Sequence, residues 1–579
     1  MQNNFDYSWP IEKKISQKSK NFKVFLLIFF WGFLIFSSLV SADYYFFYKE
    51  NKKFFSDQKA GFKLIGENFK NNFENKNFDA LEKNFSDLEI KKFEFKEKIL
   101  EKIGERKFLF GAKKIFFEFE KIFDDGIILG KNFLEIEKNF GMIFDKNFDG
   151  NPVENILKLN DENLKLLSKI NSNDFGKFFL SKVFDEKYFK IIAPQGDLID
   201  IFKEISENKI FISQIFGKNK PQTSVIFFQN SNESRATGGF VGSFLIFIAN
   251  DGKILYWKVH DIYEFDGQLK GNFEKIPFEA KLLVGAENWS LRDFNVNPNL
   301  EMSSQNFNYF FEKSGGQTID NFFYLDSKIL TEILKITGPI KLKNLGISVD
   351  SNNWDFVFQY FVGSKKQLSK TGISSKSLMI GEFFLSLKGK IFDKEFFMNL
   401  LGGEKIFDLK NKIFEKGLIK FYSKNEKIND FFQKKYAKKP DEIQEIFISI
   451  SGNKSGKFVE KKFLNWKENS SKKIISLKRN FFIDGEFEKF FEFLYQKFGS
   501  DIPKTELKKI LGFGGNNEIL QIYTSKKYDL LFVKFLKNGE VKKLNFKKWI
   551  SGDKNVFEID LPILNIGERD EVFLDFKKK

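Results

Sequence analysis

The sequence predicts a mixed α+β / α/β protein: an N-terminal transmembrane helix, a helical bundle region, a central layered α/β domain and a small C-terminal β domain. Three observations carry that prediction. Residues 24 to 42 form one uncharged apolar run. Apolar residues then recur at three and four positions, the period of a helix, until about residue 190. From residue 222 the texture becomes alternating runs broken by turn signals, the pattern of strands.

The first element is VFLLIFFWGFLIFSSLVSA, Val24 to Ala42. A helix needs about 20 apolar residues to cross a hydrocarbon core of about 30 Å, and this run meets that length. Tyr44 and Tyr45 follow at its edge, where amphipathic rings favour the interface. Val40-Ser41-Ala42 also resembles a signal-peptide cleavage site, but the preceding polar tail favours a retained anchor. Lysines Lys13, Lys14, Lys18, Lys20 and Lys23 precede the run, against Asp6 and Glu12. Lys49, Lys52 and Lys53 follow the run, so the positive-inside bias leans only weakly toward residues 1–23 in the cytoplasm and the body outside, as a single-pass protein of the cell membrane; the family resemblance given below implies that direction.

Residues 43–190 are predicted helical, with Phe62, Ile65, Phe69 and Phe73 as one apolar stripe. The central α/β domain is placed at 191–465. TSVIFFQN, FVGSFLIFIAN and KILYWKVHDI read as strands, and Asn250-Asp251-Gly252 reads as a hairpin turn. Ser303 or Ser304 is the expected cap of the next helix. A strand at NFFYLD and a helix from Ser327 to Ile336 follow, ended by Gly338-Pro339. Residues 365 to 440 read as helical, and EIFISISGN as a further strand of the central domain. A C-terminal β-rich domain, 466–579, is expected from short alternating strands with a hairpin turn at Asn538-Gly539.

Composition narrows the function classes. Phe is 80 of 579 residues, so Phe fills positions where other chains carry Leu or Ala and carries little functional information. The net charge is +16, but lysines interleave with acids, as in KNFENKNFDALEKNF, which reads as solvated surface. With Arg nearly absent and no recognition motif, no nucleic acid partner is expected. The chain has no Cys and shows no P-loop, HExxH or serine elbow, which excludes thiol, zinc-ribbon and nucleotide-hydrolysis chemistry of the usual kinds. Arg occurs only as Arg106, Arg235, Arg292, Arg479 and Arg569, and the only His is His260. Since lysine is the default cation here, a retained Arg points to a place that needs its planar fork.

Two of those arginines and His260 fall between residues 235 and 292. Arg235 precedes Thr237-Gly238-Gly239, and adjacent glycines let backbone N–H groups approach an anion. The alternative is that the glycines make a tight turn and Arg235 pairs with Glu233. His260-Asp261 ends a strand, and Arg292-Asp293 opens a loop leading to Asn295. An ion pair pinning that loop is the alternative for Arg292 and Asp293.

Five blocks carry a resemblance: SVIFFQNSNESRATGGFVGSF, DGKILYWKVHDIYEFDGQL, NWSLRDFNVNPNLEMSSQNF, IDNFFYLDSKILTEILKITGPI and ISISGNKSGKFVEKKF. In this order they resemble domain-of-unknown-function family 4012, over about residues 222 to 465. The resemblance implies an envelope-associated bacterial protein with no assigned activity. A more distant similarity is to the LytR-CpsA-Psr envelope enzymes, which move glycopolymers from a polyprenyl pyrophosphate carrier onto the wall. That similarity implies that Arg235 and Arg292 grip pyrophosphate, with Thr237, Gly238, Gly239, His260 and Asn295 around the substrate. It implies that Asp261 and Asp293 are catalytic and hold Mg2+. Three positions depart from these patterns: Ala236 stands for Pro, Asn299 for an acid and His260 for Arg. Two expectations result. One is a membrane-anchored envelope protein binding or transferring a polyprenyl-phosphate-linked glycan. The other is a non-catalytic surface module that binds cell-wall polymer or partner proteins.

Overall fold

A computed structural model describes residues 77–104, 110–172, 195–266, 274–275, 288–364, 375–391, 404–437, 442–450 and 454–579, with a few single positions before 77. The segment 24–42 and the stripe of Phe62, Ile65, Phe69 and Phe73 lie outside the described residues. Among the described residues, no helix is long and apolar enough to cross a membrane. The chain divides into two compact units. One holds Met1–Ile210 with Phe397–Phe407, and the other holds Phe211–Phe396 with Asp408–Lys579.

The described residues of the first unit are mostly helical. Helices span Phe78–Gly104, Phe110–Met142, Pro152–Ser172 and Gln195–Glu207. Asn77 accepts from the Ala80 N–H at 3.1 Å and Asn151 from the Glu154 N–H at 2.9 Å, so each starts a helix with an amide side chain. Pro152 sits at the first helical position, where its missing N–H costs nothing. Leu81, Phe85, Ile127, Leu157, Leu167 and Phe202 are buried, and Asn160 donates across to the Phe202 carbonyl at 2.9 Å.

The second unit begins with a five-stranded sheet. Strands β1 (Gln222–Asn230), β2 (Phe240–Asn250) and β3 (Lys253–Asp261) form an antiparallel meander. Asp251 and Gly252 have φ of 47° and 75°, the left-handed pair that a two-residue hairpin with the native twist requires. After the short pair β4 (Glu274–Lys275) and β5 (Asn288–Trp289), strand β6 (Asn321–Asp326) lies parallel to β1. A small ribbon, β7 (Ile340–Leu342) with β8 (Ile347–Val349), precedes β9 (Ile419–Ser423), which closes the sheet in the order β3-β2-β1-β6-β9. Alternate residues point to opposite faces. Val225, Phe227, Phe244 and Tyr324 meet Phe307, Phe310 and Phe311 of helix Leu300–Lys313 on one side. Phe247, Ala249 and Phe421 meet Ile428 and Phe432 of helix Glu426–Tyr436 on the other. The result is a helix–sheet–helix layering.

Two local expectations need correction here. The cap of Leu300–Lys313 is Asn299, whose oxygen accepts from Glu301 and Met302, rather than Ser303 or Ser304. Both serines are buried inside the helix, and Ser304 shares a hydrogen bond of 2.9 Å with the Tyr324 hydroxyl. The span 365 to 440 is not wholly helical, because β9 interrupts it; its Lys and Phe alternation sits in a stretch whose neighbours are helices.

The remaining chain forms two sheets. The order β10-β13-β17-β16 joins Ile443–Ser449 (β10), Glu518–Ser525 (β13), Lys554–Asp560 (β17) and Lys547–Ser551 (β16). The second, β11-β12-β18-β14-β15, joins Val459–Glu468 (β11), Lys472–Phe481 (β12), Arg569–Lys578 (β18), Tyr528–Lys537 (β14) and Glu540–Leu544 (β15). Leu477, Leu520, Ile522, Val533, Phe557, Val572 and Leu574 fill the space between them, which makes a sandwich. Thus β10 belongs to the sandwich and not to the central sheet, and the boundary at 465/466 falls inside β11. Helix Gly485–Phe498, unforeseen among the strands, packs Phe491 and Leu494 against Phe356, Tyr360 and Phe361.

Candidate functional site

The expected site residues sit at one end of the central sheet. Loop 231–239 links β1 to β2, residues 290–299 precede a helix, and Ile262–Asp266 forms a short helix directly after β3. What they form there is a cluster of paired charges.

Arg235 is buried, and its guanidinium lies 3.5 Å from Glu233, which is buried as well. It donates to the Ser449 carbonyl at 2.8 Å and lies 5.5 Å from the Phe240 ring centre. Ser234 and Ser449 exchange two more bonds, from the Ser234 N–H to Ser449 Oγ at 2.9 Å and from the Ser449 N–H to the Ser234 carbonyl at 3.0 Å. The loop therefore ties the central sheet to β10. Arg292 pairs with Asp266 at 3.2 Å and with Asp293 at 3.5 Å, and it lies 5.9 Å from the Tyr263 ring centre. Burial pushes the Asp293 carboxyl up to about 6, although Arg235 and Arg292 both pull it down. Its Oδ2 is buried and accepts no hydrogen bond. Burial also raises Asp266, against the pull of Arg292.

Thr237, Gly238, Gly239 and Asn295 build a second, polar network. Thr237 Oγ1 accepts from Gln229 at 2.6 Å and from Asn295 at 2.9 Å, and Asn295 also donates to the Gly239 carbonyl at 2.9 Å. Gly238 has φ of 141°, and its N–H donates to the Arg235 carbonyl at 2.9 Å. A Cβ on Gly239 would stand 2.4 Å from the Asn230 carbonyl, so glycine is required by close backbone approach. The glycines thus shape a tight turn. Lys420 of β9 reaches in from below, donating to the Thr237 carbonyl at 2.6 Å, and burial lowers its pKa.

His260 and Asp261 do not join the arginines. The His260 ring stacks on Phe244 at 5.5 Å and meets Phe265 edge-on at 5.2 Å, with Nδ1 3.4 Å from Glu264. Burial lowers its pKa, so the neutral ring is favoured. Asp261 Oδ1 accepts from the Tyr263 N–H at 3.0 Å, an Asx-type turn that starts the short helix.

The donor set does not fit the expected Mg2+, which wants several free oxygens in near-octahedral array. Asp293 is flanked by two arginines and Asp261 is engaged by backbone. Among the described residues, no group of three or more His, Asp or Glu side chains is placed to hold a metal. The apolar floor is filled as well: Phe227 lies 4.8 Å from Phe294 and 4.7 Å from Phe307, and Phe244 lies 5.2 Å from Phe307, between ring centres.

Sequence reasoning found Arg235, Arg292 and Asp293 as a group, and it named the Glu233 pairing as the alternative that the structure adopts. It missed Tyr263 and Lys420. Tyr263 lies two residues after the His260-Asp261 strand end, a signal that is there to read. Lys420 sits on the strand that the Lys-rich texture concealed.

The fold and the cluster define a layered α+β domain with paired arginines and carboxylates at one end of its sheet. Residues 219–360 of this domain match the family described as "Protein of unknown function (DUF4012)", which bears out the resemblance to domain-of-unknown-function family 4012 over the first four blocks, while ISISGNKSGKFVEKKF lies beyond the matched residues. No curated protein matches the chain. One solved structure, the Lin1025 protein from Listeria innocua, aligns with 49% of this chain and 100% of its own, at 9% identity and a TM-score of 0.21. None of these matches carries the LytR-CpsA-Psr similarity.

Proposed function

We infer that this chain is a membrane-anchored, extracytoplasmic envelope module that binds cell-wall polymer without transforming it. The observation that supports this reading over a transferase is the state of Arg235. Its guanidinium is committed to Glu233 and to the Ser449 carbonyl, and both side chains of the pair are buried. Removing a buried Arg from its partner leaves an uncompensated charge, typically about 3–5 kcal/mol, so a pyrophosphate would have to outbid a built pair. The rings of Phe227, Phe294 and Phe307 leave the polyprenyl chain no room beneath it. Val24 to Ala42 supplies the anchor in this reading, and the lysines before it favour its orientation.

The test uses the full-length chain with a polyprenyl-pyrophosphate-linked glycan, Mg2+ and isolated wall acceptor. The expected outcome is retention of wall polymer by the protein with no consumption of the donor. Donor consumption that stops in Asp293→Asn would defeat the binding-module reading.

A further inference from the structure

We propose that the outer face of the sheet β11-β12-β18-β14-β15 is an anionic-polysaccharide binding site, with sugar rings on Trp466 and Phe573 and acid groups on the surrounding lysines. This rests on the binding-module reading above and places it on the molecule.

The face follows from register. Leu477, Val572, Leu574, Val533 and Phe535 point into the sandwich. Their neighbours Ser476, Glu571, Phe573, Asp575, Phe532 and Lys534 therefore point outward. Cross-strand pairing sets Ile474, Asp575 and Phe532 in one row and Ser476, Phe573 and Lys534 in the next. On both sides of the Asp575 row the ladder carries a bulge, between Asn465 and Lys467 in β11 and between Leu530 and Phe532 in β14. A bulge re-aims a side chain and is kept where that matters. The residues it releases are Trp466 and Leu531, 61% and 49% exposed. Trp466 meets Phe573 edge-on at 5.4 Å, so the two rings form one apolar platform.

Around the platform lies positive charge. Lys472 and Lys534 stand 5.7 and 5.2 Å from the Phe532 ring centre. Lys462, Lys478, Lys534, Lys543 and Lys577 are exposed. Two acids of this face are sunk below, where Asp575 holds Lys472 at 2.7 Å and Glu571 lies 3.9 Å from Lys478, while Glu460 is exposed at the end of the face beside Asn480. Ser476 Oγ, Asp575 Oδ1 and Glu571 Oε1 are buried there without hydrogen-bond partners. Such atoms are costly in a settled surface, and a hydroxyl-rich ligand that shifts the lysines outward would supply donors for them. A sugar can lay its C–H face on the negative π face of an aromatic ring, and a lysine rim selects the acidic polymer over a neutral one.

The test titrates the full-length chain with polygalacturonate oligomers, with neutral dextran and with oligo-dT. The expected result is salt-sensitive binding of polygalacturonate, weak binding of dextran and oligo-dT, and at least a tenfold loss in Trp466→Ala with its unfolding temperature unchanged. Lys478→Glu/Lys534→Glu, an exposed double variant, loses binding to a similar degree. Equal binding by wild type and both variants overturns the placement while leaving the module reading standing. Dextran bound as tightly as polygalacturonate removes the role of charge, and oligo-dT bound as tightly makes the face a nucleic-acid surface; either overturns the proposal. Absence of binding to any polysaccharide overturns the module reading too.

Discussion

Two arginine clasps in the second unit invite comparison. In the sandwich, Arg479 is 1% exposed and holds Asp570 through two bonds, from Nε at 2.9 Å and from Nη2 at 2.5 Å. Nη2 also donates to the Pro562 carbonyl at 2.9 Å. The two residues are cross-strand partners on β12 and β18, so the planar fork bridges neighbouring strands. In the central domain, two arginines share three carboxylates at longer distances, and Asp293 keeps an oxygen without a bond. The first is a short two-bond pair whose buried Nη1 makes no bond, and the second a more widely spaced cluster near the surface, with Arg292 37% exposed. The comparison teaches what a retained arginine means in a lysine-rich chain. It marks a carboxylate that needs a fork, and that need arises in cores as readily as in ligand sites.

The comparison has a steep test at its buried end. Arg479→Ala strands Asp570 in the core and is expected to cost about 3–5 kcal/mol in urea unfolding. Arg479→Lys recovers little of it, because one ammonium cannot make both bonds. A loss below about 1 kcal/mol would erase the distinction between the two clasps.

The looser cluster has a smaller, pH-dependent signature. Asp293 titrates at about 6 in the folded protein against an ordinary 3.8. An acid raised on folding holds its proton longer in the native state, so stability falls as pH rises from about 4 to about 6 and is level above. The gap corresponds to on the order of 3 kcal/mol. Asp293→Asn is expected to remove that fall, measured as unfolding free energy against pH. His260, lowered by burial, acts oppositely as pH drops below its unfolded value, but it is present in both proteins and cancels in the difference. Identical slopes in wild type and Asp293→Asn would place the charge elsewhere.

Much of the fold was legible because local signals and tertiary structure agreed. Asn250-Asp251-Gly252 and Asn538-Gly539 made the hairpins their turn chemistry demands, with Asp251, Gly252, Asn538 and Gly539 all at positive φ. Asn299 is masked by serines nearer the apolar run that resemble caps, while Asn one turn earlier is the residue facing free N–H groups. β9 and helix Gly485–Phe498 were hidden by composition: with Phe at core positions of every kind, FYS and FEKFFEF give the same apolar signal whatever the period. The cluster was legible through rare Arg, but its meaning was not. Whether Arg235 faces a ligand or Glu233 depends on Ser449, which comes from another sheet 214 positions away in sequence.

The measurement that bears most directly on the central claim is thermal unfolding of the full-length chain with increasing polyprenyl pyrophosphate. A ligand that binds only the native state at 100 times its Kd stabilises by about 2.7 kcal/mol, a shift of a few degrees. If the arginines are committed to their carboxylates, the unfolding temperature stays flat in wild type and in Arg292→Ala alike. A concentration-dependent rise in wild type that disappears in Arg292→Ala would contradict the account.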